Sequence, residues 1–300
     1  MSRAALGLDI GGTAIKAVRI DPETGEVLKQ LTEATPDTGE ALIATARGMV
    51  EALGGGKVGV AGPGLADERN RWIAWMRGRM EMLEGLDWSA ALGDLSGAGG
   101  GVPVINDAQA ATFAEAWIGA AAGRQSAAML TLGTGVGGAL ILDGRLVMGR
   151  FGRAGCFGHL TLDLDGTPDI VGTPGSLEDL VGNHTVEQRT GFASTRALAE
   201  AAAAGDAEAE KHWARTVYAL ACGVNTLINA VSPEAVIVGG GIAASGDTLF
   251  GPLRAAVAKL EWRPWGQADA TPILPATLGP WAGAIGAAKF AASGGDLSGA

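Results

Sequence analysis

Cysteine is almost missing from this chain: Cys156 and Cys222 are the only two in 300 residues. Two thiols build neither a disulfide framework nor a thiolate zinc cluster, and a reducing cytoplasm is the expected setting. Charge is also scarce, at 18% of residues, and the balance is acidic, with a net charge of −10. No run of Lys and Arg grips a phosphate backbone, which excludes sequence-independent nucleic-acid binding. Long apolar runs are missing too. The longest uncharged stretch, 216–233, contains Asn225, Asn229, Ser232 and Pro233, so it predicts a buried helix and no membrane association. The first residues do not read as a leader, since Asp9 and Lys16 interrupt the apolar run.

What the chain has in excess is glycine, 49 residues, more than twice the roughly 7% of average usage. The most informative place is ALGLDIGGTAIKAVRID, 5–21. Leu6, Leu8 and Ile10 alternate before Gly11 and Gly12, and Ile15, Ala17 and Val18 follow Thr13, which predicts strand, turn, strand. A turn without side chains lets a polyphosphate reach backbone N–H groups, and Thr13 adds a hydroxyl donor and Lys16 a cation. Asp9 is suited to magnesium, directly or through a bound water. The same pair of glycines also serves as plain turn chemistry. The turn opens a strand and not a helix, so this is no Walker loop.

Further along, 26–35 predicts a third strand and 39–53 an amphipathic helix stopped by the glycines at 54–56. An apolar strand from 57 runs into Gly62-Pro63-Gly64, where backbone can approach a ligand or simply turn. Residues 67–101 give little pattern beyond a short helix opened by Asp87 or Ser89, and Trp72, Trp75 and Trp88 are candidates for stacking on a ring. A short strand at 102–105 meets Asn106-Asp107, a pair that reads both as a helix cap and as chemistry at the carboxyl end of a strand. From Ala127 the opening design repeats, with GTGVGG at 133–138 echoing GGT at 11–13. A loop-rich insert, 152–183, holds His159 and Glu178. Helices are expected over 186–204, opened by Thr185, and 206–231, opened by Asp206; a buried strand at 234–243 ends in three glycines, and a small-residue helix covers 283–292 before a frayed end. His184 and His212 read as surface residues.

Together the DIGGTAIK hairpin, Asn106-Asp107, the GTGVGG hairpin, Gly158-His159 and the VIVGGG strand, in that order, resemble the ROK family of bacterial sugar kinases and regulators, within the superfamily of hexokinase and actin. The likeness runs from about residue 4 to 292. It implies an α/β fold of two ribonuclease-H-like, actin-like ATPase lobes, with ATP and sugar in an interlobe cleft. The first lobe would span 1–117, completed by 283–292, and the second 118–282. By the same resemblance Gly11, Gly12, Thr13, Lys16, Thr134, Gly135 and Gly137 would meet the phosphates, and Gly239, Gly240 and Gly241 would lie against adenosine. Asp107 would be the catalytic base and Asn106 would hold a neighbouring hydroxyl. Gly62, Cys156, His159 and Glu178 would complete the sugar contacts. ATP with Mg2+ and a homodimer are further expectations.

Two departures qualify the resemblance. The family's zinc motif, C-x-C-G-x-x-G-C-x-E, reads DIVGTPGSLE here, with Asp169, Val171 and Ser176 at the cysteine positions and Glu178 retained. Valine ligates nothing, so zinc is expected to be absent and His159 to be released, free to turn either ring nitrogen to a ligand. In GRAGCFGH, Cys156 stands where the family has a glutamate that contacts the sugar, which puts glucose in doubt. The expected activity is ATP-dependent phosphorylation of a small-molecule sugar, by default at the 6-position. The alternatives are a sugar-sensing regulator or a silent sugar- or nucleotide-binding protein.

Overall fold

The computed structural model describes residues 4–78, 80–97 and 101–297. The first sheet begins with β1 (Ala5–Ile10), β2 (Ala14–Ile20) and β3 (Val27–Ala34), followed by α1 (Gly39–Ala52) and β4 (Lys57–Gly62). A small ribbon, β5 (Leu65–Ala66) and β6 (Ile73–Trp75), and α2 (Trp88–Leu92) precede β7 (Val104–Asn106) and α3 (Asp107–Ile118). The second sheet opens with β8 (Ala127–Leu132), β9 (Val136–Leu142) and β10 (Arg145–Leu146). Then come α4 (Leu177–Val181), α5 (Val186–Thr190), α6 (Thr195–Ala203), α7 (Ala207–Val231), β11 (Val236–Gly239), α8 (Asp247–Leu260), β12 (Ile273–Pro275) and α9 (Ala282–Ala292).

Both sheets share one plan. Strand orders are β3-β2-β1-β4-β7 and β10-β9-β8-β11-β12. In the first, β1–β2–β3 form an antiparallel meander, and β4 and β7 then add in parallel. In the second, β11 adds parallel to β8, and β12 parallel to β11. This is the ribonuclease-H-like topology twice over, and the repeated glycine hairpin of the sequence is the first turn of each copy.

The chain divides into two compact units, 1–123 with 141–154 and 278–300, and 124–140 with 155–277. Segment 141–154, left in the second lobe by the sequence reading, groups with the first. There Gln109 Nε2 donates to the Gly152 carbonyl at 2.9 Å and Leu146 N to the Leu297 carbonyl at 3.1 Å. The core of the first unit lies between its sheet and α1–α2, with Leu6, Leu8, Ile10, Leu42, Val60, Leu83 and Trp88 buried. On the other face α9, rich in Ala and Gly, packs against β1 and β4 at backbone distance. A Cβ at Gly7 would run into the Ala284 carbonyl, and one at Gly59 into that of Ala287.

Several local expectations are revised. The helix expected over 186–204 breaks at Gly191, whose φ of +75° ends α5; Thr185 stands at the start of α5 as expected, without a side-chain cap bond, and Ser194 caps the separate α6. Asp87, not Ser89, caps α2, and Asp206 caps α7 as expected. The 234–243 strand shortens to β11. Trp88 is fully buried, so it is core and not a stacking platform, while Trp72 carries the Arg71 guanidinium 3.9 Å from its ring centre. Arg79, 98–100 and the extreme end of the expected frayed tail, 298–300, lie outside the described residues. Among those described, no helix is long and apolar enough to cross a membrane; the 216–233 stretch belongs mostly to α7, which buries Val217, Leu220, Val224 and Leu227.

Candidate active site

In the first unit the parallel strands β1, β4 and β7 end together. Asp9 pairs in register with Ala61, and Gly62 with Asn106. The carboxyl edge of an α/β sheet is where such folds bind ligands. Across the hairpin Asp9 is also the register partner of Lys16, so both side chains leave the same face of the sheet.

The first turn is closed by Gly11 N donating to the Ala14 carbonyl at 3.1 Å, and Thr35 braces it by donating through Oγ1 to Gly11 O at 2.6 Å and through N to Thr13 O at 3.1 Å. Among the described residues, the N–H groups of Gly12 and Thr13 have no acceptor, and both residues are exposed. Asn106 is the cap of α3: its Oδ1 accepts from Ala108 N at 3.0 Å and Gln109 N at 3.1 Å. Its Nδ2 donates to the Gly64 carbonyl at 2.9 Å, so much of the side chain expected to hold a sugar hydroxyl is committed to protein. Asp107 begins α3, with Oδ1 accepting from Ala108 N at 2.8 Å.

Two carboxylates at this edge repel each other. Burial first, then the Asp107 charge, push the Asp9 carboxyl up to about 7, with Lys16 opposing. Burial also holds Asp107 above the ordinary range, against hydrogen bonds from Ala108 N, the Asn106 amide and its own backbone. A cation relieves that excess charge, so the pair fits Mg2+. Sequence reasoning missed Gly283 of α9, where a Cβ would stand 2.8 Å from the Asp9 carboxylate. Only the fold brings that helix to β1.

In the second unit the GTGVGG hairpin is fastened by residues far along the chain. Gly133 N donates to Gly135 O at 2.9 Å, and Val136 N donates to Glu178 Oε2 at 2.8 Å. Glu178 thus lies on the hairpin backbone, where a Cβ at Gly135 would strike it. The N–H groups of Thr134 and Gly135 have no acceptor among the described residues. His184 is exposed, as read, and also serves as a brace: its N and Nδ1 reach the Thr134 carbonyl at 2.9 and 2.8 Å, and its Nε2 reaches Asp179 Oδ1 at 3.0 Å. Gly137 is partly exposed within β9. At the end of β11, a Cβ at Gly240 (φ +86°) would overlap the Leu132 backbone, and one at Gly239 would crowd Ala276 at 2.9 Å, whereas Gly241 faces open space.

Cys156, Gly158 and His159 lie at a helical turn, Phe157–His159, packed on β9. The expectation that His159 turns either nitrogen to a ligand is corrected, because Nδ1 is 2.8 Å from Asp169 Oδ2. The zinc set does not fit. Val171 offers no donor atom, Asp169 is spent on protein hydrogen bonds, and no group of three or more His, Cys, Asp or Glu among the described residues is arranged to hold a metal.

Comparison with known proteins agrees with this fold. The ROK family model matches residues 5–293. A glucokinase of Streptomyces coelicolor is 31% identical over 95% of this chain and 96% of its own. The crystal structure of a ROK family glucokinase from Streptomyces griseus in complex with glucose and AMPPNP superposes with a TM-score of 0.80 at 29% identity, covering 96% of this chain and 98% of that one. A ROK family transcriptional regulator, at 19% identity and a TM-score of 0.81 over 98% of this chain and 79% of its own, shares the fold alone. The chain belongs to the ROK family.

Proposed function

We propose that this protein transfers the γ-phosphoryl group of ATP to a hydroxyl of a hexose or hexose derivative, by default at the 6-position. The observation that carries the reading is the Asp9–Lys16–Asp107 group at the carboxyl edge of the first sheet, with both carboxyls raised. Asp107 accepts the sugar hydroxyl proton as the oxygen attacks phosphorus; the new O–P bond forms, the bond to the bridging β–γ oxygen breaks, and ADP leaves. A raised carboxyl is a stronger base than an ordinary one, and its bond from Ala108 N fixes its orientation. Lys16, and in each hairpin the tip N–H groups that have no acceptor among the described residues, suit phosphate oxygens. Mg2+, held by Asp9 directly or through water, would neutralise phosphate charge when bound.

The similarity to glucokinases supports a sugar acceptor, and Cys156 argues for one other than glucose. A thiol is a poor acceptor and a smaller group than a carboxylate, leaving room for a substituted, deoxy or epimeric sugar. The test is ADP release with ATP over a panel of hexoses, wild type against Asp107→Asn. The expected result is sugar-dependent turnover that falls at least ~10²-fold in the variant while nucleotide binding persists. Binding of sugar without turnover in wild type would favour the silent or sensing alternative, and unchanged turnover in Asp107→Asn would remove Asp107 as the base.

A further inference from the structure

The side chain of Asp169 is fully buried, with 0% exposure, at the tip of a two-stranded loop within the insert. Its Oδ1 accepts from Val171 N at 3.0 Å and Thr173 N at 2.8 Å, and its Oδ2 faces His159 Nδ1 at 2.8 Å. The Ser176 side chain also favours the charged form of this carboxyl. Ser176 in turn caps α4 by accepting from Asp179 N at 3.2 Å, and α4 carries Glu178. One carboxylate therefore ties the tip of the loop to the His159 ring.

The chemistry of this hub fixes a proton. Burial opposes the charge on Asp169, yet the hydrogen bonds from His159, Thr173, Val171 and Ser176 outweigh it and hold the carboxyl below the ordinary range. An ionised carboxylate only accepts, so the hydrogen between the two residues sits on His159 Nδ1. In the neutral ring Nε2 is then left bare as an acceptor, and it has no protein partner among the described residues, while the side chain keeps 30% of its exposure.

We propose that Asp169 is a positioning residue that takes over the structural task of the zinc this site does not fit, locking His159 in its Nδ1–H tautomer so that Nε2 accepts a hydrogen bond from a substrate hydroxyl. The substrate half rests on the sugar-kinase reading; the tautomer half does not. Other devices that orient a histidine work through the same second ring nitrogen, commonly with a carboxylate partner.

The informative variant is Asp169→Asn. Its amide oxygen still serves Val171 N and Thr173 N, which preserves the loop, but its NH2 turned to His159 requires a bare Nδ1 and so moves the ring hydrogen to Nε2. Ring 15N–1H correlation spectra at pH 8.5 on protein with labelled histidine should report Nδ1–H for His159 in wild type and Nε2–H in Asp169→Asn. The best sugar of the panel should show a KM raised about tenfold, the loss of about one hydrogen bond, with the KM for ATP within about twofold. In a His159→Ala background, Asp169→Asn should add nothing to the sugar KM. A wild-type ring found as Nε2–H overturns the proposal, as does a sugar KM effect that persists without the histidine, which would mark Asp169 as a fold residue only. Absence of turnover with every sugar strikes the kinase reading and leaves the spectra to decide the tautomer.

Discussion

Replacing Asp9 with Asn should stabilise the ligand-free protein, and the gain should grow with pH. The folded-state carboxyl titrates near 7 against an ordinary 3.8. Because the folded value is the higher one, the folded state holds the proton more tightly; that advantage is complete below about pH 3.8 and is lost as pH rises through about 7. The displacement corresponds to ~4 kcal/mol at ~1.36 kcal/mol per pH unit. Asp9 keeps some solvent contact, so about 2–3 kcal/mol is the expected size, or roughly 4–10 °C in melting temperature for units of this length. Asn removes the penalty, along with the repulsion that helps raise Asp107, and the two carboxyls titrate as a pair. Thermal melts of both proteins from pH 5 to 8.5, in low salt without Mg2+ or nucleotide, should show a difference that widens toward high pH and flattens above about 8. A difference independent of pH would mean that Asp9 ionises normally, and the charge argument for a cation at this edge would fall with it. Mg2+ should narrow the gap, since it stabilises only the carboxylate form.

Three other outcomes are expected. Cys156→Glu should raise kcat/KM for glucose about ten- to hundredfold, the return of a charged hydrogen bond of about 1–3 kcal/mol; wild type already above about 10⁴ M⁻¹s⁻¹ on glucose, with no gain from the acid, would end the pocket argument. His184→Ala should loosen the second hairpin and raise the KM for ATP several-fold, roughly the ~1 kcal/mol of a lost hydrogen bond, while the KM for sugar stays put; equal changes in both would point to general unfolding. Gly7→Ala should destabilise by about 3 kcal/mol or more, measured by urea unfolding, because the added methyl runs into the Ala284 carbonyl; a melt within a degree of wild type would show that α9 moves aside freely.

What the sequence made legible was local. The two hairpins, α1 ended by its three glycines, the caps at Asn106 and Asp206, and the strand-to-helix placement of Asp107 all follow from neighbours in the chain. Residues 67–101 gave little because the β5–β6 ribbon is held by contacts without periodicity, such as Val104 N on the Asn70 carbonyl at 2.7 Å. His184 carried no signal, since its partner Thr134 lies 50 residues away. The departure at Asp169 was readable as the loss of a thiolate, but not as a gain. Its value depends on the hairpin that brings Val171 N, Thr173 N and His159 to one carboxylate.

The doubled topology also explains why the carboxylates sit in one copy only. Register makes Asp9, opposite Ala61, equivalent to Thr131, opposite Gly239. Continuing the same register along β7 and β12, Val104 answers Pro275, so Asn106 and Asp107 answer Thr277 and Leu278. The first copy therefore carries two repelling acids where the second sheet has the Thr131 hydroxyl and, one residue past the end of its unit, Leu278. An acid at Thr131 would add a partly buried charge to the second sheet, destabilising it as Asp9 does the first. With neutral residues there, the second hairpin keeps two tip N–H groups that have no acceptor among the described residues, and Glu178 beside them is already bound to Val136 N. A fold that appears twice can thus carry different charges in its two copies, and the proton transfer and cation binding proposed above would both fall on the charged one.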